Sequence, residues 1–381
     1  MMQDRVVSLF QESFGRVPTA VCRAPGRIEF IGNHTDYNGG EVMGAAIDRG
    51  LWVAVAPRED GERRFCSDLA PGRVVLQSGV LEPKEGDESW INYPLGVLAG
   101  MPEFGLTAPS GFDFAVASDL PTGAGLSSSA AIELSSGLAF LALTEQSLPR
   151  EELVKLGRWA ENHFVGVPCG ILDQGVSGFG AENSLVHIDC ATTAFSTVPM
   201  PEGAHFWIFN TPGGHALVDG AYASRHRECM AAAGVLGVKL LADTTLEALV
   251  AAKAQMEPTV FKRAHHVLSE IERVNGVQAA LAEGDLATVG KLLVASHRSS
   301  QHDFENSTVQ LDDVVDRLVE CEGVWGARLT GGGFGGAVMA LTDERFDAAA
   351  AAEVSAAFAE KWGAPATPLH LQAARGAERI C

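Results

Sequence analysis

A chain of 381 residues exceeds what one ordinary compact core needs and predicts two domains. Its 46% hydrophobic and 20% charged residues are those of a soluble globular protein with ample core material. A formal charge of −20 excludes nonspecific attraction to nucleic-acid phosphates or an anionic membrane, though not one basic pocket for a small anion.

The opening MMQDRVVSLFQESFGRVP reads as an amphipathic helix with Val6, Val7, Phe10 and Phe14 apolar. It lacks the basic start, long apolar centre and cleavage site of a secretory signal. No apolar run approaches the ~18 residues of a membrane span. The seven cysteines are scattered without CxxC or Cys/His spacing, so reduced thiols are expected and neither a disulfide framework nor a zinc site. A cytoplasmic location follows as the expectation.

Next comes GRIEFIGNHTDYNGG (26–40), which begins like a buried strand and ends as a polar turn. An arginine, two carboxylates, a histidine and two asparagines crowd into it. Such a turn either solvates a loop or grips something polar. LWVAVAPRE (51–59) and FDFAVASDLP (112–121) alternate as half-buried strands do. From Gly123 the pattern changes, and GLSSSAAIELSSGLAFLAL runs small and apolar, as a helix buried against a sheet and starting after the serines would. LPREELVKLGRWAENHF (148–164) predicts another, and strands return at SLVHIDC and HFWIFNTP.

Beyond about residue 218 the pattern turns helical, with Asp285 the expected N-cap of GDLATVGKLLVASHRSS. A strand pair is predicted around GARLTGGGFGGAVMALT. A final helix places Val354, Phe358 and Trp362 at four-residue spacing. The domain boundary is drawn between residues 1–200 and 201–381.

LPTGAGLSSSAA (120–131) carries the clearest chemical signal. Small residues make a turn whose backbone can approach a ligand, and the helix behind it aims unpaired N–H groups outward. That suits a phosphate chain. No lysine follows the glycines, so this is not a Walker A loop. The superficially similar GDLATVGKLL has the wrong spacing, and the protein-kinase HRD and DFG sets are missing from the sequence. LTGGGFGGAVMAL (329–341) is a second glycine-rich turn between strand-like runs. In CGILDQGVSGFG (169–180), Asp173 stands alone among small and apolar residues and needs a partner. Arg27, which also follows a glycine and precedes an apolar run, is the candidate. Glu161 offers a hard oxygen for magnesium.

These segments, in this order and at these separations, resemble the GHMP small-molecule kinases. GRIEFIGNHTDYNGG resembles the N-terminal signature of the galactose-phosphorylating branch, LPTGAGLSSSAA the shared phosphate loop, and LTGGGFGG the shared third motif. The similarity extends over nearly the whole chain. It implies an α+β, two-domain GHMP kinase fold. The N-terminal domain would be of the ribosomal-protein-S5 type and the C-terminal domain ferredoxin-like, with the active site in the cleft between.

Carried over by position, the resemblance makes Asp173 the catalytic aspartate and Arg27 the arginine beside it. Asn33, His34, Asp36, Gly170 and Tyr222 fall, together with Asp173, on sugar-contacting positions. Gly123, Ala124, Gly125, Leu126, Ser127, Ser128 and Ser129 would wrap the phosphates of ATP, and Trp90 matches an adenine-side tryptophan. Ser129 and Glu161 fall on the Mg2+-binding pair. The chain departs from the family at two positions. Glu29 stands where asparagine is usual, and Asn33 where the glutamate that contacts the sugar's C6 hydroxyl is usual. The expectation is that Asn33 still reaches that hydroxyl. The implied reaction is ATP-dependent phosphorylation of the anomeric hydroxyl of α-D-galactose, by a monomer with no nucleic-acid or membrane partner. A kinase for another hexose or amino-hexose, and a non-catalytic galactose and ATP sensor, are the alternatives.

Overall fold

The computed structural model describes residues 1–121, 125–212 and 218–381, so Gly123 and Ala124 of the expected phosphate loop lie outside the described residues. The strands in chain order are β1 (Ala20–Ile31), β2 (Glu41–Pro57), β3 (Arg63–Ser67), β4 (Arg73–Leu76), β5 (Phe112–Ser118) and β6 (Ser184–Asp189). They continue with β7 (Ala194–Pro199), β8 (His205–Asn210), β9 (Val324–Thr330), β10 (Ala337–Thr342), β11 (Thr367–Leu371) and β12 (Glu378–Arg379). The helices are α1 (Met2–Phe14), α2 (Asn92–Gly100), α3 (Ser128–Leu143), α4 (Arg150–Trp159), α5 (Leu172–Phe179) and α6 (Val218–Leu236). They end with α7 (Leu246–Ala251), α8 (Pro258–Ala282), α9 (Leu286–Ser299), α10 (Val309–Val319) and α11 (Ala348–Trp362).

The first sheet runs β12-β1-β2-β5-β3-β4, and β6 pairs with the start of β2 while β7 pairs with β6. β2 does this because its first residues, Glu41–Gly44, meet β6 and its last, Leu51–Pro57, meet β5. The expectation that 112–121 is a half-buried strand is corrected here, since β5 is buried along its whole length. Its alternation separates large from small side chains. Phe112 and Phe114 pack with Phe65 and Phe140 on one face, while Ala115 and Ala117 let α1 press Val6 and Phe10 onto the other. Asp113, on the small-residue face, is satisfied by Arg16 and Arg58.

The second sheet has the order β11-β8-β10-β9, all antiparallel. With α10 before β9 and α11 before β11, this is a ferredoxin-like arrangement. Its core joins Trp207, Phe209, Leu318, Leu329 and Phe358. The first sheet's long strands end at Pro199 and the second sheet's begin at His205, but β12 returns the C-terminal tail to the edge of β1. Asp285 caps α9 by accepting from the Thr288 N–H at 3.0 Å. The glycine that made this helix look like a phosphate loop has a packing duty, because a Cβ on Gly290 would overlap the Trp325 carbonyl of β9.

Candidate active site

β1 leaves the sheet at Ile31, and Gly32 takes a φ of 102°, a conformation that favours glycine. The turn that follows is held from within and from a distance. Thr35 Oγ1 donates to the Gly32 carbonyl at 2.8 Å, and Asn38 Nδ2 donates to the His34 carbonyl at 2.8 Å. The fully buried Glu270 carboxylate on α8 accepts from the backbone N–H of Gly32 at 3.1 Å and of Asn33 at 3.2 Å. Burial alone would raise the Glu270 pKa, but Arg273 beside it holds it down to about 2. Part of the polar crowding in this stretch is therefore architecture.

Glu29 and Asn33 meet, as their four-residue spacing allows, with Asn33 Nδ2 donating to Glu29 Oε1 at 2.9 Å. The same amide donates to the Gly331 carbonyl at 2.8 Å, and Asn33 Oδ1 accepts from Asn306 Nδ2 at 2.8 Å. Asn33 is 0% exposed. Both amide hydrogens and one of the two acceptor sites of Oδ1 are spent on protein, which argues against the expectation that Asn33 reaches a sugar hydroxyl. Glu29 Oε1 also takes Arg328 Nη2 at 3.0 Å. Burial raises the Glu29 pKa, against the pull of Arg328.

His34 continues the wall. Its Nε2 faces the Gly332 carbonyl at 3.0 Å and must donate there, so Nδ1 accepts from the Tyr37 hydroxyl at 3.0 Å. Burial drops its pKa to about 4, which keeps this neutral tautomer at ordinary pH. Tyr222 lies against the ring, with centroids 5.0 Å apart. Asp36 is half-buried, and burial lifts its carboxyl from the usual 3.8 to about 6 against the Tyr37 N–H it accepts. Gly170 packs directly on that carboxylate.

On the other side, Arg27 and Asp173 form a two-point ion pair. Arg27 Nε reaches Asp173 Oδ1 at 2.8 Å, and Nη2 reaches Oδ2 at 2.6 Å. The serine-rich turn locks onto this pair from behind. Arg27 Nη1 donates to the Gly125 carbonyl at 2.8 Å, the Arg27 N–H to the Leu126 carbonyl at 3.0 Å, and Ser127 Oγ to Asp173 Oδ2 at 2.5 Å. Gly125 (φ 66°) and Ser127 (φ 56°) are both left-handed, and α3 starts at Ser128, within the serines and not after them as the sequence predicts.

α4 runs into a π-helical turn at Ala160–Val165, an irregularity that often accompanies functional sites, and it carries Glu161. Burial, and then the charge of Asp173, raise the pKa of the Glu161 carboxylate, against the pull of the Ser129 hydroxyl beside it. Gln174 Nε2 donates to both Glu161 Oε2 at 2.6 Å and Glu133 Oε2 at 2.9 Å. Among the described residues no cluster of three His, Cys, Asp or Glu could hold a metal alone. Ser129 and Glu161 nonetheless present adjacent hard oxygens, and Mg2+ commonly takes only one or two protein oxygens beside phosphate and water.

One cavity borders the Arg27–Asp173 pair, and a second lies at the start of α3. The first, about 500 Å³, is bordered by Arg27, Glu29, Asn33, His34, Asp36, Glu161, Gly170, Asp173 and Tyr222. The second, about 380 Å³, is bordered by Trp90, Tyr93, Ser128 and Ser129 among others. The described site candidates from the sequence are thus divided between these two cavities and the turn Gly125–Ser127 that hydrogen-bonds to Arg27 and Asp173. Sequence reasoning does not single out Arg328, Asn306, Glu270, Gln174 or Glu133. The available signal was a polar side chain on an otherwise apolar face, as for Glu270 between Val267 and Val274 or Arg328 within β9.

Three family signatures match the chain. They are the galactokinase galactose-binding signature over residues 8–57, the GHMP kinase N-terminal domain over 92–181 and the GHMP kinase C-terminal domain over 277–362. A galactokinase of Roseiflexus sp. (strain RS-1) is 36% identical over 377 residues, covering 97% of this chain and 95% of that protein. The crystal structure of Lactococcus lactis galactokinase complexed with galactose superposes with a TM-score of 0.95 at 33% identity, covering 100% of both chains. The mevalonate kinase of Methanococcus jannaschii shares the fold at a TM-score of 0.65 and 17% identity, covering 93% of this chain and 98% of that one. With identity sustained over almost its whole length, the chain belongs to the galactokinase family of GHMP kinases.

Proposed function

We propose that this protein transfers the γ-phosphoryl group of ATP to the C1 hydroxyl of α-D-galactose, yielding galactose 1-phosphate and ADP. One observation carries the reading. The Asp173 carboxylate borders one cavity and accepts from Ser127, and the next two residues, Ser128 and Ser129, border the other. A sugar in the first and a nucleotide in the second would meet at that carboxylate. The galactose bound by the Lactococcus lactis relative supports the choice of sugar.

Phosphoryl transfer through a loose transition state asks mostly for positioning and charge stabilisation. Each carboxylate oxygen has two acceptor sites. Asp173 Oδ2 has two protein donors and Oδ1 one, so Oδ1 is the atom left for the C1 hydroxyl. As the C1 oxygen bonds to phosphorus and ADP leaves, the hydroxyl proton passes to Oδ1. Arg27 holds the carboxylate in place and favours the negative charge gathering on the transferring group. Asp36 accepts from the ring hydroxyls and Tyr222 lines the ring, with His34, whose two ring nitrogens are held by Gly332 and Tyr37, as the wall behind them. The outward N–H groups at the start of α3, with Gly125 to Ser129, cradle the phosphates, and Trp90 lies on the adenine side. Ser129 and Glu161 would hold Mg2+, which neutralises phosphate charge when bound. The same reading takes residues 1–200 and 201–381 as the two domains. It expects a cytoplasmic monomer, a setting that suits seven unpaired cysteines.

A panel of hexoses and amino-hexoses with coupled ADP detection tests this, followed by phosphorus NMR of the product. Galactose should be the preferred substrate, with phosphate on C1. Preference for another sugar, phosphate at another position, or no turnover would overturn it.

A further inference from the structure

The exchange of residues at positions 29 and 33 leaves one polar atom facing the sugar cavity with no assigned task. Both hydrogens of the Asn33 amide are spent, on Glu29 Oε1 and the Gly331 carbonyl, and the side chain is closed off from solvent. Glu29 is different. Oε1 takes Asn33 and Arg328, while Oε2 has no hydrogen-bond partner among the described residues, and the Glu29 side chain keeps 8% exposure. Glu29 borders the cavity.

We propose that Glu29, and not Asn33, selects the sugar by accepting a hydrogen bond from its C6 hydroxyl on Oε2. This deepens the galactose reading and rests on it. The placement follows from the strand. Arg27 and Glu29 are paired to Ala46 and Gly44 in unbroken register, so both side chains leave the same face of β1 about 6.7 Å apart. Arg27 grips Asp173, where C1 is to react, so Glu29 stands one strand repeat further along, at the ring's opposite edge. Glu29 is only 6% exposed and lies deeper than the half-buried Asp36. A group projecting off the ring, the C6 hydroxymethyl, reaches that depth more readily than a hydroxyl on the ring itself.

The carboxylate is also held ready. Arg328, 0% exposed, binds Glu29 Oε1 and the backbone carbonyl of Phe30 at 3.1 Å, and Asn33 steadies the same oxygen from the other side. An acceptor fixed in this way loses little freedom when a hydroxyl arrives. The exchanged pair thus keeps a carboxylate at the cavity but delivers it from the strand, with the amide of Asn33 as its support. The sugars favoured are hexoses with a free C6 hydroxyl over 6-deoxyhexoses and pentoses.

The test compares kcat/KM for galactose, 4-deoxygalactose and 6-deoxygalactose in wild type, Glu29→Gln and Glu29→Asp. Glu29→Gln removes the charge at constant shape. Glu29→Asp keeps a negative partner for Arg328 but draws the carboxylate back, so it serves if the first variant folds poorly. The galactose to 6-deoxygalactose ratio should fall about tenfold in either variant, mainly through KM, with the 4-deoxygalactose ratio unchanged. An unchanged 6-deoxy ratio in a folded variant, or a loss on the 4-deoxy sugar instead, would overturn the assignment while leaving galactose phosphorylation standing. Failure of wild type to phosphorylate galactose would overturn both.

Discussion

Gly170 packs its backbone against the carboxylate of Asp36, and any Cβ at position 170 would overlap Asp36 Oδ2. The glycine therefore fixes where the carboxylate can sit. Gly170→Ala must push Asp36 aside or shift the start of α5, which follows two residues later. The expected result is at least a tenfold loss of galactose affinity, the worth of about 1.4 kcal/mol. Binding of a nonhydrolysable ATP analogue in the second cavity should stay within twofold. Calorimetry with each ligand separates the two, and equal losses would mean a folding defect.

Asp36 also sets a pH dependence. Burial lifts its carboxyl from 3.8 to about 6. An ionised carboxylate accepts from sugar hydroxyls, so galactose affinity should fall as pH drops from 7.5 to 5. For the sugar-free protein the sign runs the other way. A raised folded pKa contributes stability that is present below 3.8 and lost as pH rises through about 6. Asp36→Asn should flatten the binding profile and raise the thermal midpoint of the sugar-free protein above pH 6. A binding profile unchanged by Asp36→Asn would show that another group titrates.

The long periodic elements were legible because their signals are local. The cap at Asp285 and the strand pair around the second glycine cluster stand where the pattern puts them, and the buried helix differs only in starting within the serines. Short edge strands such as β4 and β12 carry too few residues for a pattern to register. The reading of 112–121 as half-buried failed because alternation of Phe with Ala imitates alternation of apolar with polar. At the candidate site the Arg27–Asp173 pairing was legible and the wiring around Asn33 was not. Asp173 and Arg27 could be matched as two lone charges in apolar settings. The fate of Asn33 could not, since Asn306 and Gly331 reach it across 273 and 298 residues of chain. Neither of them displays, in its own neighbourhood, which partner it will meet.

Glu133 gives a stability test independent of substrate. It is 0% exposed, its Oε1 has no partner among the described residues, and Oε2 shares the Gln174 amide with Glu161. Burial, and then the neighbouring Glu161, push its pKa well above the ordinary carboxylate value. The folded state thus holds a proton that the unfolded chain releases near 4.5, so stability falls as pH rises beyond that value. Glu133→Gln, which cannot titrate, should melt progressively higher than wild type between pH 6 and 9. The difference should shrink toward pH 5. A gap constant across that range would mean that Glu133 is already ionised in the folded protein.

The Arg27–Asp173 pair bears the most direct prediction. Asp173→Asn keeps the shape and can still accept from one donor on its oxygen, but it cannot take the C1 hydroxyl proton. Its amide N–H2 would also face the Arg27 guanidinium, which now donates at 2.8 and 2.6 Å to both carboxylate oxygens. One of those bonds must break, so Arg27 would turn further onto the Gly125 carbonyl it already reaches at 2.8 Å. The other sugar contacts proposed above, through Asp36 and Tyr222, lie on the turn after β1 and on α6, away from this pair. Galactose binding should therefore stay within about tenfold of wild type, while kcat falls by at least a thousandfold, on the scale of losing a general base together with its positioning. Isothermal titration with galactose and a coupled assay for ADP report the two quantities separately. A variant that keeps a tenth of the wild-type rate would remove Asp173 from the proton's path and leave it a positioning partner for Arg27.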